Sequence, residues 1–436
     1  MPFTNYTVGI YTLGCKVNQY ESEAIAEAFE EKGYTVQSPT LPCDVYVINT
    51  CTVTAESDRK AKQFIRRAIN KNPSAYILVT GCLSQTQPDT VAGIRGVDYV
   101  CGNADKLSVV EAANKLIQTG TKPTAPTVSR HAPDVFVFEK MDIKKFDRTR
   151  AYIKIEDGCE NHCTYCIIPT ARGSVRSKAP ADLLREISHF TAIGCREIVL
   201  TGIETASYGK DFGKHALAEL LCEADKIPGV GRIRLGSLDP SLMKEDFVRQ
   251  IGELSSLAHH FHISMQSGSD RILALMKRKY NRRIALEGIS RLKKAMPDVQ
   301  LTTDMIVGFP GESEEDFCET VNFVKEAGFL MVHVFPYSKR QGTPAAEMKD
   351  QIPEEIKHRR VAMLSQVAAE VRQRILSAAV GTVTEVLFET DSKGFSIGHT
   401  SNFIEVSCPT DTPLQGTLRA VEITDCNDKH CIGKLI

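Results

Sequence analysis

Short apolar runs alternate with amphipathic stretches through the first 120 residues. β-Type runs lie at residues 8–12, 45–48 and 76–79, and stretches with helical periodicity lie at residues 21–32 and 56–70. Strands separated by helices are typical of a parallel sheet with helices packed on its faces. The pattern therefore predicts an N-terminal α/β domain.

The same alternation resumes near residue 149. The predicted strands are residues 152–155, 197–200, 232–235, 260–264, 301–307 and 331–335, with helices between them such as 180–193 and 314–327. A closed βα barrel needs eight such units. Six units over about 220 residues predict an incomplete, six-fold βα barrel.

Changes in the pattern predict the domain boundaries. Residues 119–144 carry three prolines without periodicity, and residues 354–379 form a long helical connector. After Gly381 come short β-type runs at residues 382–389, 395–399, 403–407 and 416–424. We predict an α/β fold with a domain at 1–120, a linker at 121–144, a barrel domain at 145–372 and a small all-β module at 373–436.

Composition and charge narrow the function classes. The 436 residues are 42% hydrophobic and 25% charged, which is globular composition. The sequence has no run of about 18 apolar residues, so a membrane span is not expected. The N-terminus does not resemble a secretory signal, and a cytoplasmic protein is expected. The net charge of −1 means that nucleic acid would bind through local basic stretches, for which residues 59–71, 144–150 and 277–283 are candidates. A solvated helix face or linker is the alternative interpretation of each stretch.

Three of the fourteen cysteines form a compact motif after a predicted strand. The motif is Gly-Cys-Glu-Asn-His-Cys-Thr-Tyr-Cys, with thiols at Cys159, Cys163 and Cys166. In the cytosol such a group binds metal more often than it forms disulfides. Four-iron clusters normally take four cysteines, so three would leave one iron open to a substrate. A zinc site with His162 as fourth ligand is the alternative.

A second triad is spread over the first domain. Cys15, Cys51 and Cys82 each follow one of the first three predicted strands. Because the carboxyl ends of parallel strands share one edge, these loops are expected to meet and to hold a second cluster. Three unrelated buried thiols are the alternative. Most other cysteines are predicted to pack in the interior: Cys43, Cys101, Cys195, Cys222 and Cys318.

Glycine and small polar residues follow four later strands of the predicted barrel. Such residues suit a nucleoside-like ligand held against the backbone, although ordinary turns are an alternative interpretation of each loop. The candidate cofactor-binding residues are Gly202, Glu204, Ser237, Gln266, Gly308, Pro310 and Gly311.

The cysteine motif, with Tyr165 before its last cysteine and Ile168-Pro169-x-x-Arg172-Gly173 behind it, resembles the signature of the radical S-adenosylmethionine superfamily. Over nearly its whole length the chain resembles the methylthiotransferases. The resemblance implies two [4Fe–4S] clusters, one held by Cys159, Cys163 and Cys166 and one by the N-terminal triad. It also implies S-adenosylmethionine contacting Tyr165, a 5′-deoxyadenosyl radical, a sulfur delivered from the auxiliary cluster, and a C-terminal TRAM module.

Local motifs favour one branch of that family. Cys15-Lys16-Val17-Asn18 and Asn49-Thr50-Cys51-Thr52 resemble the branch that modifies threonylcarbamoyladenosine in tRNA. The branches that modify isopentenyladenosine in tRNA or a ribosomal-protein aspartate are alternatives. An RNA-binding iron–sulfur protein without catalysis is an alternative of another class.

The resemblance also implies partners. They are the anticodon stem-loop of tRNA and an electron donor such as flavodoxin or ferredoxin, with no prediction of oligomeric state. Residues 373–436 contain five Lys or Arg against eight Asp or Glu, a net charge of −3. This acidic balance is unlike a phosphate-binding surface, so RNA binding by the TRAM module is an expectation from the family alone.

Overall fold

The structure is a computed structural model that describes residues 5–131, 137–146 and 149–436. The chain divides into two compact units. Unit 1 comprises Met1–Lys144, Glu156–Lys178 and Ser338–Ala346, and unit 2 comprises Lys145–Ile155, Ala179–Tyr337 and Glu347–Ile436. The chain thus leaves and re-enters each unit, and we describe each unit by itself.

Unit 1 contains a six-stranded, fully parallel sheet of strand order β2-β1-β3-β4-β5-β6. Its apolar strands, of which β3 is buried at every position, pack on helices at both faces. The elements are β1 (Thr7–Thr12), α1 (Lys16–Glu31), β2 (Thr35–Gln37), β3 (Val45–Thr50), α2 (Ala55–Lys71), β4 (Tyr76–Gly81), α3 (Cys82–Thr86), α4 (Pro88–Ala92), β5 (Tyr99–Val100), α5 (Ser108–Thr119) and β6 (Thr127–Val128).

Residues 150–336 contribute nine strands, seven to unit 2 and two to unit 1. β7 (Arg150–Lys154) belongs to unit 2, whereas β8 (Glu156–Asp157), α6 (Ile168–Arg172) and β9 (Arg176–Ser177) belong to unit 1, where β8 and β9 pair. Unit 2 continues with α7 (Pro180–Ala192), β10 (Glu197–Thr201), α8 (Leu217–Asp225), β11 (Arg232–Leu235), β12 (Ser237–Leu238), α9 (Glu245–Ile251), β13 (His260–Gln266), α10 (Asp270–Leu275), α11 (Arg282–Ala295), β14 (Gln300–Val307), α12 (Glu314–Ala327) and β15 (Met331–Pro336).

The strands of this region that belong to unit 2 form the predicted incomplete barrel. The sheet orders are β11-β10-β7 and β12-β13-β14-β15, and β12 follows β11 after a single residue. The order is therefore continuous from β7 to β15, with the two sheets meeting at β11 and β12. Local capping sets the helix ends: Ser313 and Asp316 form a capping box at the start of α12, and Gly328 ends it at φ +68°.

The C-terminal part of unit 2 is a closed five-stranded barrel preceded by the long helix α13 (Glu354–Ala379). The barrel order is β16-β17-β18-β20-β19, closed by antiparallel pairing of β16 with β19. Its strands are β16 (Val383–Ser392), β17 (Phe395–Thr400), β18 (Glu405–Pro409), β19 (Leu418–Cys426) and β20 (Cys431–Leu435). Closure pairs both edges of the sheet, so the module exposes no long unpaired strand.

The predicted fold class is confirmed, with local differences in its elements. Helix α1 begins at Lys16 rather than at residue 21, and β18 begins at Glu405 rather than at residue 403. The short strands β2, β5 and β6 and the last strand β20 were not predicted, and β6 lies inside the predicted linker. Within the described ranges, no helix has the length and apolarity needed to cross a membrane.

Candidate active site

The three cysteines of the N-terminal triad lie at one edge of the unit 1 sheet. Cys15 follows β1, Cys51 follows β3 and Cys82 follows β4, and these three strands are direct neighbours. The edge is the carboxyl edge of a parallel sheet, where ligand sites of such folds lie. Cys51 and Cys82 are buried, whereas Cys15 is exposed.

Glycines allow the cysteine loops to approach one another. Gly14 has φ +98°, and a Cβ built there would lie 2.7 Å from the Cβ of Cys51. Gly81 has φ +99°, and its Cβ would lie 2.4 Å from the carbonyl oxygen of Thr50. Both positions combine a left-handed backbone with a close approach that only glycine tolerates. The Gly-Cys pairs are therefore part of how this edge is built.

Asparagine side chains hold the same loops in place. The Nδ2 of Asn18 donates to the carbonyl oxygens of Leu13 at 2.7 Å and Thr50 at 3.0 Å. The Nδ2 of Asn49 donates to the carbonyl oxygen of Asn18 at 3.0 Å. These residues belong to the two motifs that suggested the branch of the family, and the contacts give them a structural role in joining the Cys15 and Cys51 loops.

The donor set around Cys82 fits a bound group. The Nδ2 of Asn103 lies 3.5 Å from the Sγ of Cys82, while the Oδ1 of Asn103 and the hydroxyl of Ser84 are buried without a partner among the described residues. Buried polar atoms are normally hydrogen-bonded, so orphaned ones beside the triad are consistent with a ligand there. Burial raises the pKa of Cys51 to about 11, so iron would have to displace the thiol proton.

The motif with Cys159, Cys163 and Cys166 forms a loop that also belongs to unit 1. Gly158 has φ +89°, and a Cβ there would lie 2.0 Å from the carbonyl oxygen of Ser174. The backbone N–H of Cys159 donates to the carbonyl oxygen of Gly173 at 3.0 Å, and that of Cys166 to Cys163 at 3.0 Å. The loop is thus fixed against the segment that follows α6.

The loop backbone includes a second unusual conformation. His162 has φ +48°, in the region that favours glycine, between the first two cysteines. Among the described residues, no group of three or more His, Cys, Asp or Glu side chains is placed to hold one metal ion. The three cysteines of a four-iron cluster bind different irons, so such a site does not require their sulfurs to converge on one point.

A buried charge network joins α1 to the segment behind the cysteine loop. Arg172 donates from Nη1 to Glu21 Oε1 at 2.9 Å and to Asp157 Oδ1 at 2.9 Å, and from Nη2 to Asn18 Oδ1 at 2.5 Å. Burial opposes its charge, but Asp157 and Glu21 raise the pKa of Arg172 well above its ordinary value. Lys106 also pairs with Glu21. The network holds two cations within the protein near the cysteines.

Arg172 is part of the sequence motif behind the cysteines, whereas the sequence did not predict a role for Glu21 or Lys106. The partners are 151 and 85 residues apart in the chain, and no local pattern signals such a pairing. The one available signal was a charged residue, Glu21, on the face of α1 that carries Val17 and Ala24.

The candidate cofactor-binding residues lie in unit 2, apart from Tyr165, which lies in unit 1. Gly202, Glu204, Ser237, Gln266, Gly308, Pro310 and Gly311 follow or end the strands β10, β11, β13 and β14. In these parallel sheets all four positions are carboxyl ends of strands, so they share one edge.

Two of these loops have distinctive backbones. Gln266 ends β13 at φ +67°, next to a register shift in the pairing of β13 with β14. A non-glycine residue in this region is strained and is often found at binding sites. Gly308 has φ +70°, and its N–H donates to Glu312 Oε2 at 2.6 Å. Gly311 donates from its N–H to the carbonyl oxygen of Asp350 at 2.7 Å.

Two acids of this edge are strongly perturbed, because burial raises the pKa of Glu312 to about 7 and also acts on Glu204. Burial, and after it the nearby carboxylate of Asp239, raise the pKa of Glu204 to about 7, against the opposing effect of Arg278. Arg278 itself pairs with Asp239 at 2.8 Å. Glu204 can therefore exchange a proton near neutral pH, which is a property of functional carboxyl groups.

The remaining cysteines divide by burial. Cys43 and Cys101 lie in the apolar cores of unit 1, and Cys195 is buried in unit 2, as predicted. Cys222 is half-buried, and the prediction of interior packing is wrong for Cys318, which is exposed on α12.

The chain matches two family models and resembles solved structures in its fold. Residues 153–324 match the model of the radical SAM superfamily, and residues 7–102 match the model of uncharacterized protein family UPF0004. A solved structure, the radical S-adenosylmethionine methyltransferase TsrM from Kitasatospora setae, superposes with a TM-score of 0.57 at 15% identity, covering 78% of this chain and 76% of that one. At that identity the likeness concerns the fold alone.

Curated relatives are more similar in sequence. The threonylcarbamoyladenosine tRNA methylthiotransferase MtaB of Bacillus subtilis is 42% identical over 99% of this chain and 96% of its own length. MtaB of Thermotoga maritima is 41% identical over 88% and 86%. The tRNA-2-methylthio-N(6)-dimethylallyladenosine synthase of Acetivibrio thermocellus is 35% identical over 98% and 90%. The chain belongs to the radical S-adenosylmethionine tRNA methylthiotransferases, in the threonylcarbamoyladenosine branch of that family.

Proposed function

We propose that the protein adds a methylthio group to carbon 2 of threonylcarbamoyladenosine, next to the anticodon in tRNA, by radical S-adenosylmethionine chemistry. The observation that carries the proposal is the meeting of Cys15, Cys51 and Cys82 on three adjacent strand ends, in a unit that also contains the Cys159–Cys166 loop. The family's cofactors are two [4Fe–4S] clusters and S-adenosylmethionine, and two cysteine triads match that requirement.

The residues have distinct roles in this proposal. Cys159, Cys163 and Cys166 would hold the radical cluster, and Cys15, Cys51 and Cys82 the auxiliary cluster. Three ligands per cluster leave one iron available to a small molecule. Glu204 and the loops at Ser237, Gln266 and Gly308–Gly311 would hold the nucleoside part of S-adenosylmethionine against the backbone, together with Tyr165.

The substrate explains why such cofactors are needed. The hydrogen on carbon 2 of adenine is too weakly acidic for a side-chain base, which contributes about 10²–10⁴-fold by proton transfer. When bound, the reduced cluster and S-adenosylmethionine would supply radical chemistry that activates this position. The chain's own residues position the reactants: Gly14, Gly81 and Gly158 let the cysteine loops approach, and Arg172 keeps a positive charge buried near them.

The proposal extends to organisation and partners. Residues 1–120 would be the auxiliary-cluster domain, 121–144 a linker, 145–372 the radical domain and 373–436 a TRAM module, the last supported by its closed five-stranded barrel. We infer a cytoplasmic enzyme that receives electrons from a donor such as flavodoxin or ferredoxin and binds the anticodon stem-loop of tRNA.

Mass spectrometry of tRNA nucleosides tests the proposal. Cells without the gene should lose 2-methylthio-threonylcarbamoyladenosine and accumulate its precursor, and the wild-type gene should restore it. Cys159→Ala should not restore it, whereas the exposed Cys318→Ala should. Loss of the methylthio-isopentenyl nucleoside instead would move the protein to the other tRNA branch. Full activity of Cys159→Ala would refute the radical mechanism.

A further inference from the structure

Helix α2 presents a strongly basic outer surface. Its residues 55–71 contain six Lys or Arg and two Asp or Glu, a net charge of +4 in a chain whose total is −1. Ala61, Ile65 and Ala68 are buried against the sheet, so the helix is firmly attached by its other face. The exposed basic face consists of Arg59, Lys60, Arg66, Arg67 and Lys71, with the partly exposed Lys62 beside it.

The two acids of α2 neutralise only the first turns of this face. Asp58 is buried and pairs with Arg340 at 2.7 Å. Glu56 pairs with Arg59 and Lys60 in the first turns of the helix. Within the described part of the chain, no carboxylate lies within 4.0 Å of the cationic groups of four further residues: Lys62, Arg66, Arg67 and Lys71. Arg95 lines the same groove as Lys62 and Arg66 and is likewise without an ion pair there, and the acid of that groove, Asp89, pairs with Arg130 instead.

The other two basic stretches behave differently. Lys144 pairs with Glu31, and Arg150 is buried between Glu197 and Glu389. Three arginines near residue 280 also have carboxylate partners: Arg278 with Asp239, Arg282 with Glu326 and Arg283 with Glu287. A cation that already pairs with a carboxylate of the protein is stabilised less by binding an external anion. Of the three stretches, only α2 offers several cations with no internal partner, among the described residues.

The position of α2 relates this surface to the auxiliary cysteines. The helix begins after Thr54, which lies three residues beyond Cys51. The side chain of Thr54 accepts a hydrogen bond from the N–H of Ser57. At 1.5 Å per residue, Arg59 and Lys71 are about 18 Å apart along the axis. This length is enough to contact several successive phosphates of a nucleic-acid strand.

We propose that this basic face of α2, together with Arg95, binds the phosphate backbone of the tRNA substrate. The inference rests on the proposed function. The side chains lining the face are Arg59, Gln63, Arg66, Arg67, Asn70 and Lys71, which are all hydrogen-bond donors. Its single aromatic residue, Phe64, is partly buried and covered by Arg67 at 5.1 Å. The surface therefore suits sequence-independent backbone contacts rather than base stacking.

Such contacts would fix the register of the tRNA without reading bases. They would also provide the electrostatic attraction that the acidic C-terminal module, with its net charge of −3, does not offer. A helix attached at the Cys51 loop would hold the RNA backbone at a set position relative to the auxiliary cysteines.

Salt-dependent tRNA binding tests the inference. The triple variant Arg66→Ala, Arg67→Ala, Lys71→Ala should weaken binding of unmodified tRNA by roughly tenfold or more, and should lower the slope of log K against log salt by about 2–3. The variant Arg66→Lys, Arg67→Lys should keep the slope. A matched control removes three exposed, internally paired cations by Lys226→Ala, Arg249→Ala, Arg283→Ala, and should bind as the wild type does.

Cluster absorbance and melting temperature establish that each full-length, cluster-loaded variant is folded. Equal slopes for the α2 triple variant and the wild type would overturn the inference while leaving the proposed function intact. An equal loss of binding in the control triple variant would also overturn it, because the effect would then be one of net charge. If the wild-type protein neither binds nor modifies tRNA, the proposed function fails and this inference fails with it.

Discussion

The guanidinium of Arg172, at the end of α6, donates a hydrogen bond to the carboxylate of Glu21 on α1, and both side chains are fully buried. The bond joins the segment behind the Cys159–Cys166 loop to the helix that begins immediately after Cys15. Because both groups are charged and out of water, removing either one takes a buried partner from the other, which then keeps only Lys106 (for Glu21) or Asp157 (for Arg172). The pair therefore fixes the two cysteine-bearing segments of unit 1 to each other.

We expect Arg172→Met to lower the free energy of unfolding by about 3–5 kcal/mol, since Glu21 and Asp157 would be left as buried charges without this partner. Chemical denaturation of the protein measures the change. Arg185→Met is the control: Arg185 is exposed and pairs with Asp182, and its loss should change stability by less than about 1 kcal/mol. Similar midpoints for the two variants would contradict the importance of the buried network.

We expect Glu197→Gln to destabilise unit 2 in the same way. Glu197 lies at the start of β10 and accepts hydrogen bonds from Arg150 at 2.5 Å, Arg234 at 2.7 Å and Arg232 at 3.1 Å. Neutralising it leaves three buried or nearly buried cations, with an expected loss of about 3–5 kcal/mol. Retention of wild-type stability at pH 7 would show that Glu389 and backbone carbonyls compensate the arginines.

The same carboxylate predicts an acid-sensitive contribution. Burial opposes ionisation, but Arg234 and Arg150 hold the pKa of Glu197 well below its ordinary value. A lowered folded-state pKa stabilises the protein above the unfolded-state pKa of about 4.3, and this stabilisation is lost as pH falls below it. The wild-type protein should therefore lose stability more steeply than Glu197→Gln as the pH falls below about 4.3. Parallel curves would contradict the shift.

Glu204 predicts the opposite pH dependence. Its folded-state pKa of about 7 exceeds the unfolded value, so the folded protein retains a proton that the unfolded chain releases. Stability should fall by about 3–4 kcal/mol as pH rises from about 4.3 to about 7, and then level off for this group. Glu204→Gln should remove the contribution of Glu204 to the slope, leaving that of Glu312, whose pKa burial also raises to about 7, and should be the more stable protein at pH 8. The measurement is denaturant unfolding of both proteins across that range.

Periodicity and cysteine spacing were sufficient to predict where the cysteines of the N-terminal triad lie. Each follows an apolar run, and parallel pairing of β1, β3 and β4 places their ends together. The pairing of Arg172 with Glu21 could not be predicted, because 151 residues separate them and tertiary packing alone brings them together. The start of α1 was misplaced because Cys15, its N-cap residue, makes no side-chain capping hydrogen bond and carries no cap signature.

Gly81→Ala is expected to disturb the auxiliary-cluster edge more than an ordinary glycine substitution. Gly81 has φ +99°, and its Cβ would lie 2.4 Å from the carbonyl oxygen of Thr50, the residue before Cys51. Gly194 has a similar φ of +92°, but nothing lies within 4 Å of its Cβ. Both alanines carry the cost of a positive φ, and Gly81, at ψ −166°, lies in a region that glycine alone readily adopts, so Gly81→Ala combines backbone strain with the close approach.

Stability and iron content separate the two effects. Gly194→Ala should lose only the stability that the backbone cost accounts for, and it should bind a full complement of iron after reconstitution. Gly81→Ala should lose more stability, and its iron content should fall toward that of a protein with one cluster, because the loops of Cys51 and Cys82 cannot keep their spacing. Full iron in Gly81→Ala would mean that the edge can relax around an added methyl group. The close approach of β3 and β4 would then not be what shapes the auxiliary site.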